Sequence, residues 1–167
     1  MMTSELCYLP EEVSHENAIE EINDEAFGPG RFARTASRIR EQGPHDRALS
    51  FVCLDGRAVI ASVRLTPVWA GKAAGHMLGP LAVRPSHKNR GIGRNLVRIA
   101  VEAAAGAGSE VVILIGDAPY YGPLGFRPIV PPTLLLPGPV DPKRILADPL
   151  VDGVEARLVG MMRFRAD

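Results

Sequence analysis

Two glycines inside a basic stretch near the middle of the chain are the first residues that point to chemistry. Arg90, Gly91, Ile92 and Gly93 follow an apolar run, and apolar side chains then recur at helical spacing. Glycine lets the backbone turn tightly and approach a ligand, and the first turn of a helix has N–H groups without acceptors. The pattern predicts an anion site at a helix N-terminus, with a glycine turn before an ordinary surface helix as the alternative.

The charges around these glycines agree with an anionic ligand. Residues 78–101 contain no Asp or Glu and hold five cations: Arg84, Lys88, Arg90, Arg94 and Arg98. The Gly-Lys-Ser/Thr of a P-loop is absent, and Leu96 stands where a dinucleotide-binding motif has its third glycine. We therefore expect phosphate groups to be bound here without either of those motifs.

Two motifs resemble those of the GNAT superfamily of N-acyltransferases. Residues 81–93 contain Leu-Ala-Val, a proline and Arg-Gly-Ile-Gly, and are similar to the acetyl-coenzyme A motif of that family. Residues 121–126, Tyr-Gly-Pro-Leu-Gly-Phe, are similar to the tyrosine and Gly-Phe that follow in the family. Lys88 departs from the pattern, because Gln or Arg usually precedes the first glycine by three residues; a donor remains but the planar fork is lost.

The resemblance implies that acetyl-coenzyme A is the co-substrate and that its acetyl group passes to a primary amine by direct attack in a ternary complex. It implies coenzyme contacts from Leu81, Ala82, Val83, Lys88, Asn89, Arg90, Gly91, Ile92, Gly93, Arg94, Asn95, Asp117 and Tyr121. A backbone N–H of Leu81 or Val83 would stabilise the developing negative charge on the thioester oxygen. For Asp117, capping of a helix is the favoured alternative. No metal is expected.

Tyr121 is the candidate acid for the departing thiolate. An ordinary tyrosine has a pKa of about 10 and a thiol one of about 8.5, so a phenol is protonated at neutral pH and can hydrogen-bond to the sulfur. Tyr120 is adjacent, but the spacing to Gly125 favours Tyr121. If the tyrosine only packs, the chain would instead be an acyl-coenzyme A binding or regulatory protein with little or no turnover.

The base that neutralises the amine has several candidates. His76 lies on the strand that ends at Val83, and histidine has a suitable pKa, although a structural role is the competing interpretation. Asp24 and Glu25 precede the turn where the resembled family admits its acceptor. A chain of water molecules is a further alternative.

The acceptor is expected to be a small molecule or an amino terminus. Residues 1–30 hold eight acidic residues and no Lys or Arg, which would suit a cationic amine, although a solvated face explains the same residues. Four large apolar side chains are candidates either for an acceptor pocket or for the core: Phe27, Phe32, Trp69 and Met77.

The order of elements predicts an α/β fold. Its centre is a mixed, mostly antiparallel sheet of about six to seven strands with helices on both faces. The strand ending at Val83 and the strand at 110–115 are joined by a helix and should run parallel. In the resembled family these strands splay, and the coenzyme's pantetheine arm pairs with backbone in the gap. A bulge or interruption is expected at Gly79 and Pro80, with a plain edge-strand proline as the alternative.

The remaining elements are read from local patterns. A second helix is expected over 31–42, a strand over 47–54, a short helix or turn over 117–124, a strand over 126–136, a loop over 137–149 and a last strand over 154–165.

Composition indicates one domain over residues 1–167. The formal net charge is zero, and nothing points to nucleic acid or to a membrane as a partner. No signal peptide or transmembrane run is recognised. Cys7 and Cys53 lie in strand-like settings without metal-ligand spacing, which predicts two buried thiols and a cytoplasmic location. The last strand and the proline-rich loop offer a surface for a homodimer.

Overall fold

The computed structural model describes residues 5–166, without the side chains of residues 32 and 33. The helices in this part of the chain are α1 (Glu16–Phe27), α2 (Thr35–Arg40), α3 (Ile92–Gly106) and α4 (Ala118–Tyr121). The strands are β1 (Leu6–Pro10), β2 (Phe51–Asp55), β3 (Ala58–Ala70), β4 (Ala73–Val83), β5 (Val111–Ile115), β6 (Arg127–Pro128), β7 (Leu134–Leu135), β8 (Ile145–Pro149) and β9 (Gly160–Phe164).

The sheet is built around the long hairpin of β3 and β4. Its strands follow the order β1-β2-β3-β4-β5-β8-β6, and β9 pairs with the end of β3 and with β7. The pairs β4–β5 and β7–β9 are parallel, and the other pairs are antiparallel. The predicted mixed, mostly antiparallel α/β fold is confirmed.

Helices cover both faces of this sheet because each has one apolar side. On α3, Leu96, Val97, Ala100 and Ala104 are fully buried at helical spacing and pack against inward-facing residues of β3 to β5. On α1, Ile19 and Ile22 are buried against side chains of the opposite sheet face, such as Ala82. Side chains of successive strand residues alternate between faces, so the two helices lie on opposite sides.

The parallel strands β4 and β5 separate as predicted. They pair only at His76–Val112 and Met77–Ile113, whereas β4 continues to Val83. The register between β3 and β4 shifts opposite Gly79 and Pro80, which confirms the predicted bulge. Proline lacks the N–H that a regular ladder needs. The result is a gap in the middle of the sheet.

The C-terminal third differs most from the prediction. The expected strand over 126–136 is reduced to β6 and β7, because prolines at 128, 131 and 132 remove ladder donors. The expected loop over 137–149 instead contains β8, which pairs with all five residues of β5. The expected last strand over 154–165 is limited to β9, since Val154–Arg157 forms a 3-10 turn.

The N-terminal half needs smaller corrections. A 3-10 turn at Pro29–Ala33 replaces the start of the expected second helix. Another 3-10 turn, in which Asp46 accepts from the N–H of Ala48, delays β2 to Phe51. The expectation of two buried thiols is wrong for Cys7, which is exposed because β1 is an edge strand. Within residues 5–166, none of the helices has the length and apolar character needed to cross a bilayer.

Candidate active site

The gap between β4 and β5 opens into a cleft of about 840 Å³. Its walls come from α1, α2, β3, β4, the end of β5 and the segment 139–144. Tyr121, at the end of α4, also lines it. The cleft therefore joins the splayed strands, where backbone is exposed, to a chamber walled by side chains of α1 and α2.

The N-terminus of α3 is left without a cap. Gly91 occupies the N-cap position in the left-handed region, with φ of 78°, and no side chain forms a capping hydrogen bond. The first bond in the helix runs from the N–H of Asn95 to the carbonyl of Gly91, at 3.1 Å. The preceding N–H groups have no acceptor within the helix and are available to an anion.

The surroundings of this helix end suit phosphate. A Cβ added to Gly91 would meet nothing within 4 Å, so open space lies above this glycine. A Cβ on Gly93 would lie 2.8 Å from the Tyr120 hydroxyl, and the guanidinium of Arg94 lies 5.8 Å from the centre of the Tyr120 ring. Lys88 and Arg90 are exposed. Exposed cations beside unpaired N–H groups are the groups that bind phosphates.

Other predicted coenzyme contacts lie in different settings. Asn89 is exposed with φ of 63°, next to the helix end. Asn95 donates from its amide nitrogen to the Tyr8 hydroxyl at 3.1 Å. The side chains of Ala82 and Ile92 are buried in the core, so they contribute only backbone to this region.

Two backbone donors face the gap. The N–H of Arg84 donates to the carbonyl of Ile60 on β3, at 2.8 Å. Because N–H groups alternate between the two edges of a strand, those of Leu81 and Val83 point away from β3. Beyond Met77, β4 has no pairing with β5 on that edge. Leu81 and Val83 thus have the orientation expected of donors to a thioester oxygen.

Tyr121 is held tightly at the wall of the cleft. Its ring packs edge-on against Phe126 and Tyr120, with ring centroids 6.0 and 4.7 Å apart. A Cβ on Gly116 would lie 2.5 Å from the ring, so only glycine leaves room for it. Burial, and then Tyr120 and Asp117, raise the pKa of Tyr121 to about 12. The phenol is therefore a protonated donor at neutral pH.

Asp117 occupies the N-cap position of α4 but caps it through backbone alone. Its carbonyl accepts from the N–H groups of Tyr120 and Tyr121, both at 3.1 Å, and its side chain forms no capping bond. The carboxylate lines the cleft and lies 3.4 Å from Nε of Arg144. The predicted capping of this helix by the Asp117 side chain is therefore wrong.

His76 is not brought to the cleft. It lies in the paired part of β4, on the face opposite to that of its neighbour Met77, which lines the cleft. It is 4% exposed, and burial, followed by the charge of Arg165, lowers the pKa of His76 to about 4. A neutral, enclosed imidazole on the wrong face is a poor candidate for the base.

The acidic candidates on α1 are paired with arginines. Asp24 accepts from Nε of Arg31 at 3.1 Å, and Glu25 accepts from Nη1 of Arg84 at 2.9 Å. Glu20, which does line the cleft, also accepts from Arg31. These pairs already balance the charges that the sequence offered for attracting a cationic amine.

The apolar candidates divide between the cleft and other places. Phe27 and Met77 line the cleft. Trp69 does not, and its ring lies 5.9 Å from the guanidinium carbon of Arg163. The side chain of Phe32 lies outside the described residues.

Two residues that line the cleft were not predicted from the sequence to be site residues. Asn23 is 1% exposed, and neither its amide nitrogen nor its amide oxygen has a hydrogen-bond partner. Arg40 has an Nε that is buried without an acceptor. A signal existed only for Asn23, which continues the apolar stripe of Ile19 and Ile22 on α1 at helical spacing. No group of three or more His, Cys, Asp and Glu side chains in residues 5–166 is arranged to hold a metal.

Splayed strands beside an uncapped, basic helix end are the features expected of a site for an extended, phosphate-bearing ligand. The model of the acetyltransferase (GNAT) family matches residues 16–126, which include both Gly91 and Tyr121. The chain belongs to this family. The resemblance of the two motifs is thereby confirmed.

Individual proteins that are similar to this chain agree with the family assignment. The chain is 31% identical over 114 residues to the uncharacterized N-acetyltransferase YjhQ of Escherichia coli K12, covering 66% of this chain and 63% of that protein. The match thus spans less than two thirds of that relative's length. The crystal structure of the GNAT N-acetyltransferase YhbS of Escherichia coli with CoA has a TM-score of 0.82 at 21% identity, covering 99% of this chain and 92% of that one.

A second structure extends the comparison. A GNAT acetyltransferase of Brucella melitensis in complex with acetyl-CoA has a TM-score of 0.62 at 25% identity, and the match covers 87% of this chain and 96% of that chain. Both structural likenesses agree with the fold described above.

Proposed function

We propose that the protein transfers the acetyl group of acetyl-coenzyme A to the primary amine of a small molecule or an amino terminus. The observation that carries this proposal is the position of Tyr121. Its protonated phenol lines the cleft into which the gap between β4 and β5 opens. A protein that only bound the coenzyme would have no need of a proton donor there.

The coenzyme is proposed to lie along the gap. Its pyrophosphate would be bound by the free N–H groups at residues 91–94 and by Lys88, Arg90 and Arg94, with Asn89 and Asn95 beside it. Its pantetheine arm would pair with β4 as an added strand. The complexes of YhbS with CoA and of the Brucella protein with acetyl-CoA support this choice of ligand.

In the proposed reaction the amine nitrogen attacks the thioester carbonyl carbon, and the carbon–sulfur bond breaks. The N–H groups of Leu81 and Val83 are oriented to stabilise the negative oxygen. Tyr121 donates a hydrogen bond to the sulfur as it becomes a thiolate. The amine loses one proton and the thiolate gains one, so the products are an amide and a thiol.

Removal of the amine proton is assigned to water in the cleft. His76 lies on the other face of the sheet, and both Asp24 and Glu25 are paired with arginines. A base with a pKa near 4 would also be too weak to compete for the proton of an ammonium group.

Calorimetric titration with acetyl-coenzyme A, compared with desulfo-coenzyme A and ATP, tests the coenzyme assignment. Release of free thiol in the presence of a panel of amines tests the transfer. We expect micromolar binding of acetyl-coenzyme A and acceleration of thiol release by at least one amine. Binding without thiol release would favour a regulatory protein, and absence of binding would contradict the assignment of the cleft.

The cellular setting is a separate proposal. We expect a cytoplasmic protein that acts without nucleic acid or membrane as a partner. A homodimer through β9 and the neighbouring proline-rich segment stays a prediction.

A further inference from the structure

Arg40 is a cation without a counter-ion in the wall of the cleft. No hydrogen bond or ion pair within the described part of the chain involves its guanidinium, and its Nε is buried without an acceptor. One terminal nitrogen lies 2.8 Å from the place of a Cβ on Gly79, where β4 has just separated from β5. Arg40 as a whole is half-buried, and a charge that is partly withdrawn from water is costly unless it is paired.

Neighbouring arginines add further positive charge around Arg40, which lacks an anionic partner among the described residues. Burial, and then the charges of Arg31, Arg34 and Arg64, lower the pKa of Arg40 to about 10. Arg31 and Arg64 have carboxylate partners, as shown by their bonds to Glu20 and Glu11. No carboxylate among the described residues is paired with Arg40, so the site lacks one negative charge.

Asn23 adds a second unpartnered group to the same wall. It lines the cleft together with Arg40, and both atoms of its buried amide lack partners. Leaving a buried amide unpaired destabilises the folded protein, so such a group marks a place where a ligand supplies the missing bonds. An amide nitrogen and a planar guanidinium together suit the oxygens of a carboxylate.

We propose that the acyl acceptor carries a compact oxyanion, a carboxylate in the first instance, which Arg40 and Asn23 bind within the cleft. This inference rests on the proposed acetyl transfer and names the class of its acceptor: an amine that bears an acid group. It replaces the expectation of an acceptor drawn in by acidic residues, because those on α1 next to the cleft are already paired with arginines.

Matched acceptors test this proposal. Amino acids are compared with their carboxamides, and phosphoethanolamine with ethanolamine, by thiol release at saturating acetyl-coenzyme A. A charge-assisted pair lost with the anion predicts kcat/KM roughly 10 to 100-fold higher for the acidic member. The two comparisons separate a carboxylate from a phosphate. Equal or faster reaction of the neutral members would overturn the inference while leaving acetyl transfer intact; no reaction with any amine would overturn the transfer itself.

Substitutions assign the preference to Arg40. Arg40→Met should reduce the preference for the acid to about one and leave the affinity for acetyl-coenzyme A unchanged. Arg40→Lys keeps the charge but loses the fork and should give an intermediate preference. Arg38→Met is the matched control, because Arg38 lies on the same helix, is exposed and does not line the cleft. An unchanged preference in Arg40→Met would contradict the assignment.

A stability measurement is independent of turnover. With coenzyme A at saturation to occupy the helix end, β-alanine should raise the Tm of the wild-type protein, but not of Arg40→Met or Asn23→Leu. Removing an unpaired, half-buried charge should also leave the Tm of Arg40→Met equal or higher without ligand. A lower Tm in Arg40→Met, together with an undiminished response to β-alanine, would show that Arg40 is structural.

Discussion

The proposed coenzyme side of the cleft and its proposed acceptor side use different parts of the polypeptide. On the coenzyme side the proposed binding groups are mainly backbone N–H groups, exposed by Gly91 and by the separation of β4 from β5, with exposed cations beside them. On the proposed acceptor side they are side chains, among them the half-buried Arg40 and the buried Asn23. Tyr121 lies where the two proposed sides meet.

This difference explains why acceptor binding can change more easily than coenzyme binding in this fold. A backbone site depends on a local turn and on room above a glycine, so it tolerates changes in most of the surrounding side chains. A side-chain site depends on charges that the fold brings together, so single substitutions can change what it binds. We therefore expect coenzyme binding and acceptor choice to be separable by mutation.

The largest effect on activity should come from substitution of Tyr121. Tyr121→Phe removes the proton donor and should lower kcat by roughly 10² to 10⁴-fold, while the affinity for acetyl-coenzyme A stays nearly the same. Tyr120→Phe is the adjacent control and should change kcat little. Steady-state kinetics and calorimetry measure the two quantities. Undiminished turnover in Tyr121→Phe would mean that the thiolate leaves without this hydrogen bond.

A cluster of ion pairs around Glu11 lies beside the proposed acceptor side, because two of its members, His45 and Arg64, line the cleft. The fully buried side chain of Glu11 accepts from Arg64, Arg47 and His45 at 2.9, 3.1 and 2.8 Å. Glu11→Gln leaves these cations without their carboxylate and should lower the free energy of unfolding by about 3 to 5 kcal/mol. Glu16→Gln, whose carboxylate is exposed and 3.9 Å from Arg47, should cost less than about 1 kcal/mol.

The same cluster sets a dependence on pH. Burial alone would raise the pKa of Glu11, but hydrogen bonds from His45 and Arg64 outweigh it and lower the pKa to about 2. A carboxyl whose pKa is lower in the folded state stabilises the protein above the unfolded pKa of about 4.5. Denaturation of wild type and Glu11→Gln should therefore converge as the pH falls from about 4.5 towards about 2. A constant difference would contradict the pairing.

Coenzyme binding should depend on the glycine turn. Gly91→Val places a branched side chain at a φ of 78° and fills the space over the helix end, so affinity for acetyl-coenzyme A should fall roughly 100-fold. Gly153→Val is the matched control, because Gly153 has a φ of 77° and equally open surroundings. It carries the same backbone strain away from the cleft and should bind the coenzyme normally. Equal affinities in the two variants would refute the phosphate site.

The smallest effect concerns the placement of Tyr121. Gly116→Ala pushes the Tyr121 ring aside, because the new Cβ would lie 2.5 Å from it. A shift of this kind should lower kcat roughly ten-fold with little change in coenzyme affinity. Gly106→Ala, at an open position in the last turn of α3, should leave kcat unchanged. Equal kcat in both variants would mean that the exact position of the phenol does not matter.

The sequence was most informative where function depends on local backbone. The helix end was predictable because its glycines and cations are contiguous, and Tyr121 because its spacing to Gly125 is local. The face of His76 was not predictable, since a strand pattern does not say which of two adjacent residues points to the cleft. Strand β8 was missed because its prolines suggest a loop, and it forms by pairing with β5 and β6.

The residues of the proposed acceptor side could hardly be recognised from the sequence. Arg38 and Arg40 look like ordinary charged residues of a surface helix, and only tertiary packing buries the Nε of Arg40. Asn23 belongs to a different helix and lines the same cleft as Arg40. Side chains that converge from separate segments have no common spacing that a sequence pattern can reveal.

The most direct test of the account is a crystal structure of the protein with acetyl-coenzyme A. We predict the pyrophosphate on the N–H groups of residues 91–94, the pantetheine arm between β4 and β5, and the Tyr121 hydroxyl within about 3.5 Å of the thioester sulfur. A coenzyme bound elsewhere, or a Tyr121 hydroxyl turned away from the sulfur, would contradict the proposed acetyl transfer in this cleft.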